Sequence, residues 1–479
     1  MVKISALNIK IWLADKWPIL LVAAVYLTYK LLYFQTGMFW DSVTILSKPA
    51  SYLFKTGLFH FHYPANIDNA DPQLVPFYIA LAWMIFGRSI LVTHLAFLPI
   101  LISILIAIFH LAKKIFPCEL APYIFMLVCL DPTLMSQSIG LYQDSFLILF
   151  SILSINFLIS KNRIGQAIFL LLLCMVSRRG ILLAFAFMLA NFVNLWLLEK
   201  KPFVKTLKST FLPYFPACLF VILFVIWRLY AFGWFFTTSQ TNSGQLVDGN
   251  GLVRNSIVLV RWFLDDGRLV LWLAFGIIFL KNREIKEFIS SNKELITYFG
   301  AALLVMMAAT LPLANPFGAR YFTIHYIIFS LILSKLIISQ VSIRKAKALF
   351  ILIAILLFSG NFWIYPENIS QSWDASLSNL AYFNLKKHTV DYFENKNIDI
   401  KTVGVGFPLN APFNFSELNS DKRHFNNINF KANDWIVYSN TFNLTDEQID
   451  TIKKLPLVQE FKKGTVFVRI YKNNNQYIK

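Results

Sequence analysis

Up to about residue 365 the chain alternates long apolar runs with short polar segments that are mostly basic. A helix that crosses the hydrocarbon layer needs about 20 predominantly apolar residues. Roughly eleven runs are candidates, several of them short: 17–36, 89–112, 120–137, 143–160, 165–177, 180–198, 209–231, 262–280, 295–314, 321–340 and 347–365. The basic clusters fall in alternate loops: Lys113 and Lys114, Lys161 and Arg163, Lys200 to Lys208, Lys281 to Lys286, and Arg344 to Lys347. The positive-inside rule assigns these loops and the N-terminus to the cytoplasm. The loops around 37–88, 138–142, 178–180, 232–261 and 315–320 then face outward, and an odd number of spans sends the C-terminal segment out as well. Lys3, Lys10 and Lys16 precede the first run and no small-residue cleavage site follows it, so the first helix is expected to be a retained start-transfer segment.

The stretch "QLVPFYIALAWMIFG" (73–87) is too short to span and would break the charge parity if it did. It is expected to be a helix lying in the outer interface, with Tyr78 and Trp83 near the headgroups. Past residue 366 the pattern changes period. "TVGVGF", "DWIVYSN" and "GTVFVRIYKN" read as short strands, and "TDEQIDTIKKL" as a capped helix. The expected fold class is an all-α polytopic membrane protein of about 11 transmembrane helices over 1–365, carrying a small C-terminal α/β extracytoplasmic domain over 366–479. No internal repeat is visible.

Composition supports this picture. Of 479 residues, 57% are hydrophobic and only 15% charged, which excludes an ordinary soluble protein. The net charge of +18 could suggest nucleic acid, but its Lys and Arg sit in clusters between apolar runs rather than on one basic face. All four cysteines lie in or beside apolar runs, so neither a disulfide framework nor a cysteine metal site is suggested.

Ionisable groups are costly in hydrocarbon, so their placement is informative. Here Asp41, Asp68, Asp71, Asp144, Arg178, Arg179, Asp248, Arg254, Arg261, Asp265, Asp266 and Arg320 all map to outer loops or the outer ends of spans. A transporter of a polar substrate would more often carry such groups near the midplane, paired between repeats. A carboxylate and several arginines facing an outer cavity suit bond chemistry instead, in which a base takes a proton from an acceptor while cations hold an anionic leaving group. A lipid-linked phosphosugar supplies such a leaving group.

A family resemblance rests on these residues. "FWDS" after the first span, "GLFHFHYP" and "DPQLVPFYIALAWMIFGRS" in the first loop, "LDPTLMSQSIGLYQDSFLILF", "SRRGILL" and the late "NPFGARYFTIHYIIF" together resemble the GT-C superfamily of membrane glycosyltransferases. The similarity is to the branch containing the protein O-mannosyltransferases and the lipid A aminoarabinose transferases. The resemblance implies inverting transfer of a sugar from a polyprenyl-phosphate carrier, with Asp41 as general base. The competing reading of Asp41 is a hydrated helix-end carboxylate. It also implies a second outer-edge acid at Asp144, which could equally be an N-cap. Arg320 with Tyr321 matches the family's late Arg-Tyr pair near the donor phosphate, where a guanidinium fork can hold two oxygens at once. Arg178 and Arg179 are phosphate candidates or snorkelling side chains.

His60 and His62 are weak candidates for a metal site because no third ligand is evident. Asp265 and Asp266 resemble a paired-carboxylate site, but Arg261 and Arg268 flank them at a spacing that favours local ion pairs. The chain also departs from the family: Asp41 is followed by Ser42 rather than a second acid, and Asp71-Pro72-Gln73 replaces the usual His-Pro-Pro or Lys-Pro-Pro.

The leading expectation is an integral glycosyltransferase of the cytoplasmic (inner) membrane, with a polyprenyl-phosphate-linked sugar donor and an extracytoplasmic glycan, lipid or protein acceptor. No cofactor is assigned, and a divalent metal is left open. The rival from another class is a transporter or flippase of lipid-linked glycans. A silent membrane scaffold is a third.

Overall fold

The computed structural model describes residues 6–235, 245–282, 284–315, 317–367, 369 and 371–473; Lys3 lies outside them. The chain opens with α1 (Ala6–Tyr33), a turn of π-helix (Ser42–Ser47), α2 (Lys48–Thr56), α3 (Leu74–Phe86) and α4 (Ile90–Ile115). The central part holds α5 (Ala121–Cys129), α6 (Pro132–Ile139), α7 (Asp144–Ile159), α8 (Arg163–Val176), α9 (Arg178–Val193) and α10 (Phe203–Phe232). It continues through α11 (Gly249–Leu264), α12 (Leu269–Lys281), α13 (Ile285–Ser291), α14 (Lys293–Thr310), α15 (Thr323–Gln340) and α16 (Ile343–Phe358).

Five of the described helical stretches are long and apolar enough to cross a membrane: Ile90–Ile115, Arg178–Leu198, Phe203–Phe232, Lys293–Thr310 and Ala319–Gln340. The last is 83% buried, so it forms the centre of the bundle. In contrast α10 leaves Leu219, Ile222, Leu223, Ile226 and Leu229 exposed, an apolar face suited to lipid rather than water. The protein is an integral membrane protein.

Three expectations need correction. First, the run 262–280 is split: α11 ends at Leu264 and α12 begins at Leu269, after a turn over 265–268. Second, the run 120–137 is not one helix. It breaks after Cys129, where Asp131 accepts hydrogen bonds from the Thr133 and Leu134 amides and Pro132 opens α6. Asp-Pro is a start signal for a new helix, because the side chain caps the free amides and proline has no amide to satisfy. The chain bends again by 115° between α6 and α7. Third, Trp83 is turned into the protein rather than toward headgroups. The 73–87 stretch is helical as expected, but Trp83 is buried and its indole donates to Thr93 of α4 at 2.8 Å.

The C-terminal sheet comprises β1 (Val403–Val405), β2 (Asn426–Asn427), β3 (Trp435–Ser439), β4 (Leu457–Lys463) and β5 (Val466–Lys472), in the order β2-β1-β3-β5-β4. β1 runs parallel to β2 and β3, and β5 is antiparallel to β3 and β4. Alternation decides its two faces. Val437, Val466, Val468 and Ile470 pack toward α17 (Leu380–Asn395), and Ile436, Tyr438, Phe467 and Tyr471 toward α19 (Asp446–Lys453). The short α18 (Phe413–Ser416) lies between β1 and β2 in sequence. The expected helix "TDEQIDTIKKL" carries a full capping box between Thr445 and Gln448.

The sheet region grips the first loop. The Met38 amide donates to the Ser416 carbonyl at 2.7 Å, the Ser47 hydroxyl donates to the Phe415 carbonyl at 2.6 Å, and Arg88 bonds the Asn414 carbonyl. Phe39 packs on Tyr382 and Phe383, and Trp40 on Phe407. Residues 38–47 are therefore held between the helix bundle and the C-terminal region.

Candidate active site

Asp41 lies within that held segment. Trp40, with φ of +50°, turns the chain through a left-handed conformation that a bulky residue rarely adopts, and the π-helical turn starts at Ser42. Strained backbone and π-turns both concentrate at functional positions. The Asp41 carboxylate makes no side-chain capping bond to the helix that it precedes. Instead it accepts a hydrogen bond from the guanidinium of Arg320, 279 residues further along the chain.

Arg320 is the hub. Besides Asp41, it pairs with Asp374 at 2.9 Å and with Asp144 at 3.7 Å. Asp144 in turn pairs with Arg179 at 2.7 Å. Tyr321 lies beneath both cations, 4.3 Å from the Arg179 guanidinium and 5.6 Å from that of Arg320. Asp41, Asp144, Asp374, Arg179 and Arg320 thus form one network. Access differs sharply within it: the side chain of Asp41 is 36% exposed, against 8% for Arg320 and 2% for Asp144. Only Asp41 faces an approaching molecule broadly. Burial pushes the Asp374 carboxyl above the ordinary carboxylate range, with Arg320 pulling the other way.

Asp144 is the first residue of α7 and Gln143 occupies the cap position without a side-chain bond. The N-cap reading is therefore set aside, since the carboxylate is spent on the two arginines. The snorkelling reading of Arg178 and Arg179 fails similarly. Arg178 bonds Asp71 through both its amide at 3.0 Å and its Nε at 3.1 Å, and it reaches the Asn69 carbonyl at 3.2 Å. So the Arg pair divides: Arg179 joins the network, while Arg178 ties α9 to the first loop. Arg261 pairs with Asp265 and Arg268 with Asp266, as their spacing predicts. His62 stacks on Phe232 with ring centroids 4.8 Å apart. Among the described residues no group of three His, Cys, Asp or Glu side chains is arranged to hold a metal ion.

The backbone positions of the network are fixed by neighbours that the sequence pattern does not single out. Asp374 is one: its carbonyl accepts from Ser136 at 2.8 Å and Gln137 at 2.5 Å, which pins the 372–379 segment along α6. Its sequence signal is no more than an isolated acid after the last apolar run. A second buried cluster braces the turn that carries Arg320. There Arg268 contacts Asp131 at 3.4 Å, Thr133 at 2.9 Å and the face of Tyr326 at 4.0 Å. The Tyr326 hydroxyl donates toward the carbonyls of Ala319 and Trp262, each at 3.1 Å. Arg228 and Asp68 make a third buried pair, bidentate at 2.8 and 2.9 Å, which anchors the first loop to α10.

Gly180 explains how Arg179 is aimed. A Cβ there would lie 2.0 Å from the Leu173 carbonyl oxygen, a backbone atom that cannot step aside. We expect Gly180→Ala to push the start of α9 off α8, to cost about 1–3 kcal/mol as overpacking does, and to impair the site through Arg179. A lowered melting temperature together with reduced activity of the purified protein checks this.

The comparisons with known proteins bear on the architecture. No protein-family model and no curated protein sequence matches the chain. Among solved structures, the crystal structure of ArnT from Cupriavidus metallidurans bound to undecaprenyl phosphate superposes with a TM-score of 0.50 at 9% identity, covering 95% of this chain and 98% of that one. The apo structure of the same ArnT gives 0.51 at 11% identity, with the same coverage. The chain has the ArnT fold. The match runs through the helix bundle and the C-terminal region alike, so the ArnT-like architecture is that of nearly the whole molecule.

Proposed function

We propose that this protein is a membrane glycosyltransferase that takes a sugar from a polyprenyl-phosphate carrier and passes it to an acceptor hydroxyl with inversion. The observation that carries the reading is the convergence of Asp41 with Arg320 and Arg179 in one partly open cluster. Support also comes from the fold of ArnT, which in one of its structures binds undecaprenyl phosphate.

In this reading Asp41 accepts the proton of the acceptor hydroxyl while that oxygen attacks the anomeric carbon. The bond from the anomeric carbon to the phosphate oxygen breaks, and polyprenyl phosphate leaves with the electron pair. Arg320 receives the growing phosphate charge, as preorganised cations do most effectively where water is scarce. Its side chain is engaged by Asp41, so donor binding exchanges one anion for another on the same guanidinium and frees the base. Asp144 and Asp374 hold the fork in place during the exchange, and Arg179 supplies a second cation against Tyr321. Arg178 acts as a structural tie rather than a phosphate ligand.

The wider topology belongs to the same proposal. About eleven crossings put the N-terminus in the cytoplasm of the inner membrane and both the site and residues 366–479 outside. The C-terminal domain then covers the first loop and takes part in acceptor selection. The test uses the purified full chain with a polyprenyl-phosphate-linked sugar. Acceptor-dependent release of polyprenyl phosphate supports the enzyme. Movement of the intact lipid between liposome leaflets without cleavage would support a flippase instead.

A further inference from the structure

Away from the site, α4 and α7 run side by side in the same direction. Phe97 packs on Phe146 with ring centroids 5.6 Å apart, and ten residues further along both helices the Asn156 amide donates to the Ala107 carbonyl at 3.1 Å. Asp144 at the start of α7 belongs to the catalytic cluster. Asn156 therefore lies about 18 Å away along the helix axis, at a rise of 1.5 Å per residue, toward the opposite membrane face.

Between the two helices at that end lies a cavity of about 310 Å³. Ile106, Leu153 and Phe157 form its apolar wall, and His110, Lys114 and Asn156 its polar end. Ile106 is 63% exposed on the outer surface of the bundle, so the cavity opens toward lipid. Two features of the polar end are unspent. Lys114 bonds the Asn156 carbonyl at 2.8 Å and the Ser160 hydroxyl, and its ammonium has a third N–H to offer. Asn156 is buried, and its side-chain oxygen has no hydrogen-bond partner among the described residues. His110, one turn deeper than Lys114 on the same face of α4, is an exposed part of the same lining.

An apolar slot capped by cationic and hydrogen-bonding groups at a membrane edge matches an amphiphile with a negative head. We propose that this cavity binds one anionic phospholipid of the adjacent leaflet, with its phosphate on Lys114 and His110 and an acyl chain along Ile106, Leu153 and Phe157. A head with net negative charge gains from the Lys114 ammonium what a zwitterionic head carrying its own ammonium does not. The lipid is not a substrate, because it sits a bilayer leaflet away from Asp41. It fastens α7 at the end remote from Asp144.

The experiment is native mass spectrometry of the purified full chain with dioleoyl phosphatidylglycerol and dioleoyl phosphatidylcholine. The expected result is selective retention of a single phosphatidylglycerol. Lys114→Gln should lower its retention about fivefold, equivalent to the roughly 1 kcal/mol that one basic residue contributes at an anionic surface. His110→Ala, at an exposed position, should lower it as well. Lys113→Gln removes the same charge one position away, outside the cavity, and should leave retention unchanged. Equal retention of the two lipids, displacement by inorganic phosphate, or the same loss in Lys113→Gln would overturn the proposal.

Discussion

Asp41→Asn is expected to reduce sugar transfer by about 10²–10⁴-fold, the range that a positioned general base contributes, while the protein remains folded. The amide keeps the size of the carboxylate and still offers Arg320 an oxygen to bond, but it cannot take up the acceptor proton. Asp41 is also more exposed than the other acids of the network, so its charge is the one whose loss disturbs packing least. Transfer rates of the purified variant with a polyprenyl-phosphate-linked sugar, set beside its thermal unfolding curve, check both halves. Undiminished transfer would remove Asp41 from the chemistry.

Arg320→Ala should be worse and in a different way. Removing the hub leaves Asp144 and Asp374, both buried, facing each other and Asp41 with only Arg179 to compensate among the cations of the network. Taking one partner from a buried ionic cluster typically costs about 3–5 kcal/mol, because the remaining charges lose their compensation. Transfer should fall below detection and the melting temperature should drop. A double variant tests the coupling more sharply. Asp374→Asn combined with Arg320→Ala should recover part of the lost stability by removing one of the stranded charges, but none of the activity. A double-mutant cycle on the melting transitions measures that coupling; strictly additive effects would mean that Arg320 and Asp374 do not act on each other. Arg320→Lys should keep more of the stability yet little transfer, since a single ammonium lacks the planar fork that serves several carboxylates and a phosphate.

Much of this arrangement is legible in the sequence because membrane chemistry makes charges conspicuous. An acid or arginine at the edge of an apolar run carries an energetic cost that a surface residue does not, so Asp41, Asp144, Arg179 and Arg320 stand out one by one. Their mutual pairing does not, because nothing in a linear pattern tells which of several outer-edge arginines meets which acid. Arg178 and Arg179 are neighbours in sequence, yet adjacent positions on a helix point in different directions, and one goes to Asp71 while the other goes to Asp144.

Asp374 is silent for the opposite reason. It lies in "SQSWDASLSN", a polar stretch where an acid costs nothing until tertiary structure buries it against α6. The break at Asp131-Pro132 is written in the residues but hidden by the apolar run around it. Strand β4, "LVQEFKK", alternates poorly because it is an edge strand whose charges face solvent, as edge strands often do.

The most direct test is a cryo-EM structure of the full chain with polyprenyl phosphate bound. The expected result is a phosphate within hydrogen-bonding distance of Arg320, with the Asp41 carboxylate released from that guanidinium and turned toward the space a sugar would occupy. Phosphate density elsewhere, with the Asp41–Arg320 pair still closed, would contradict it.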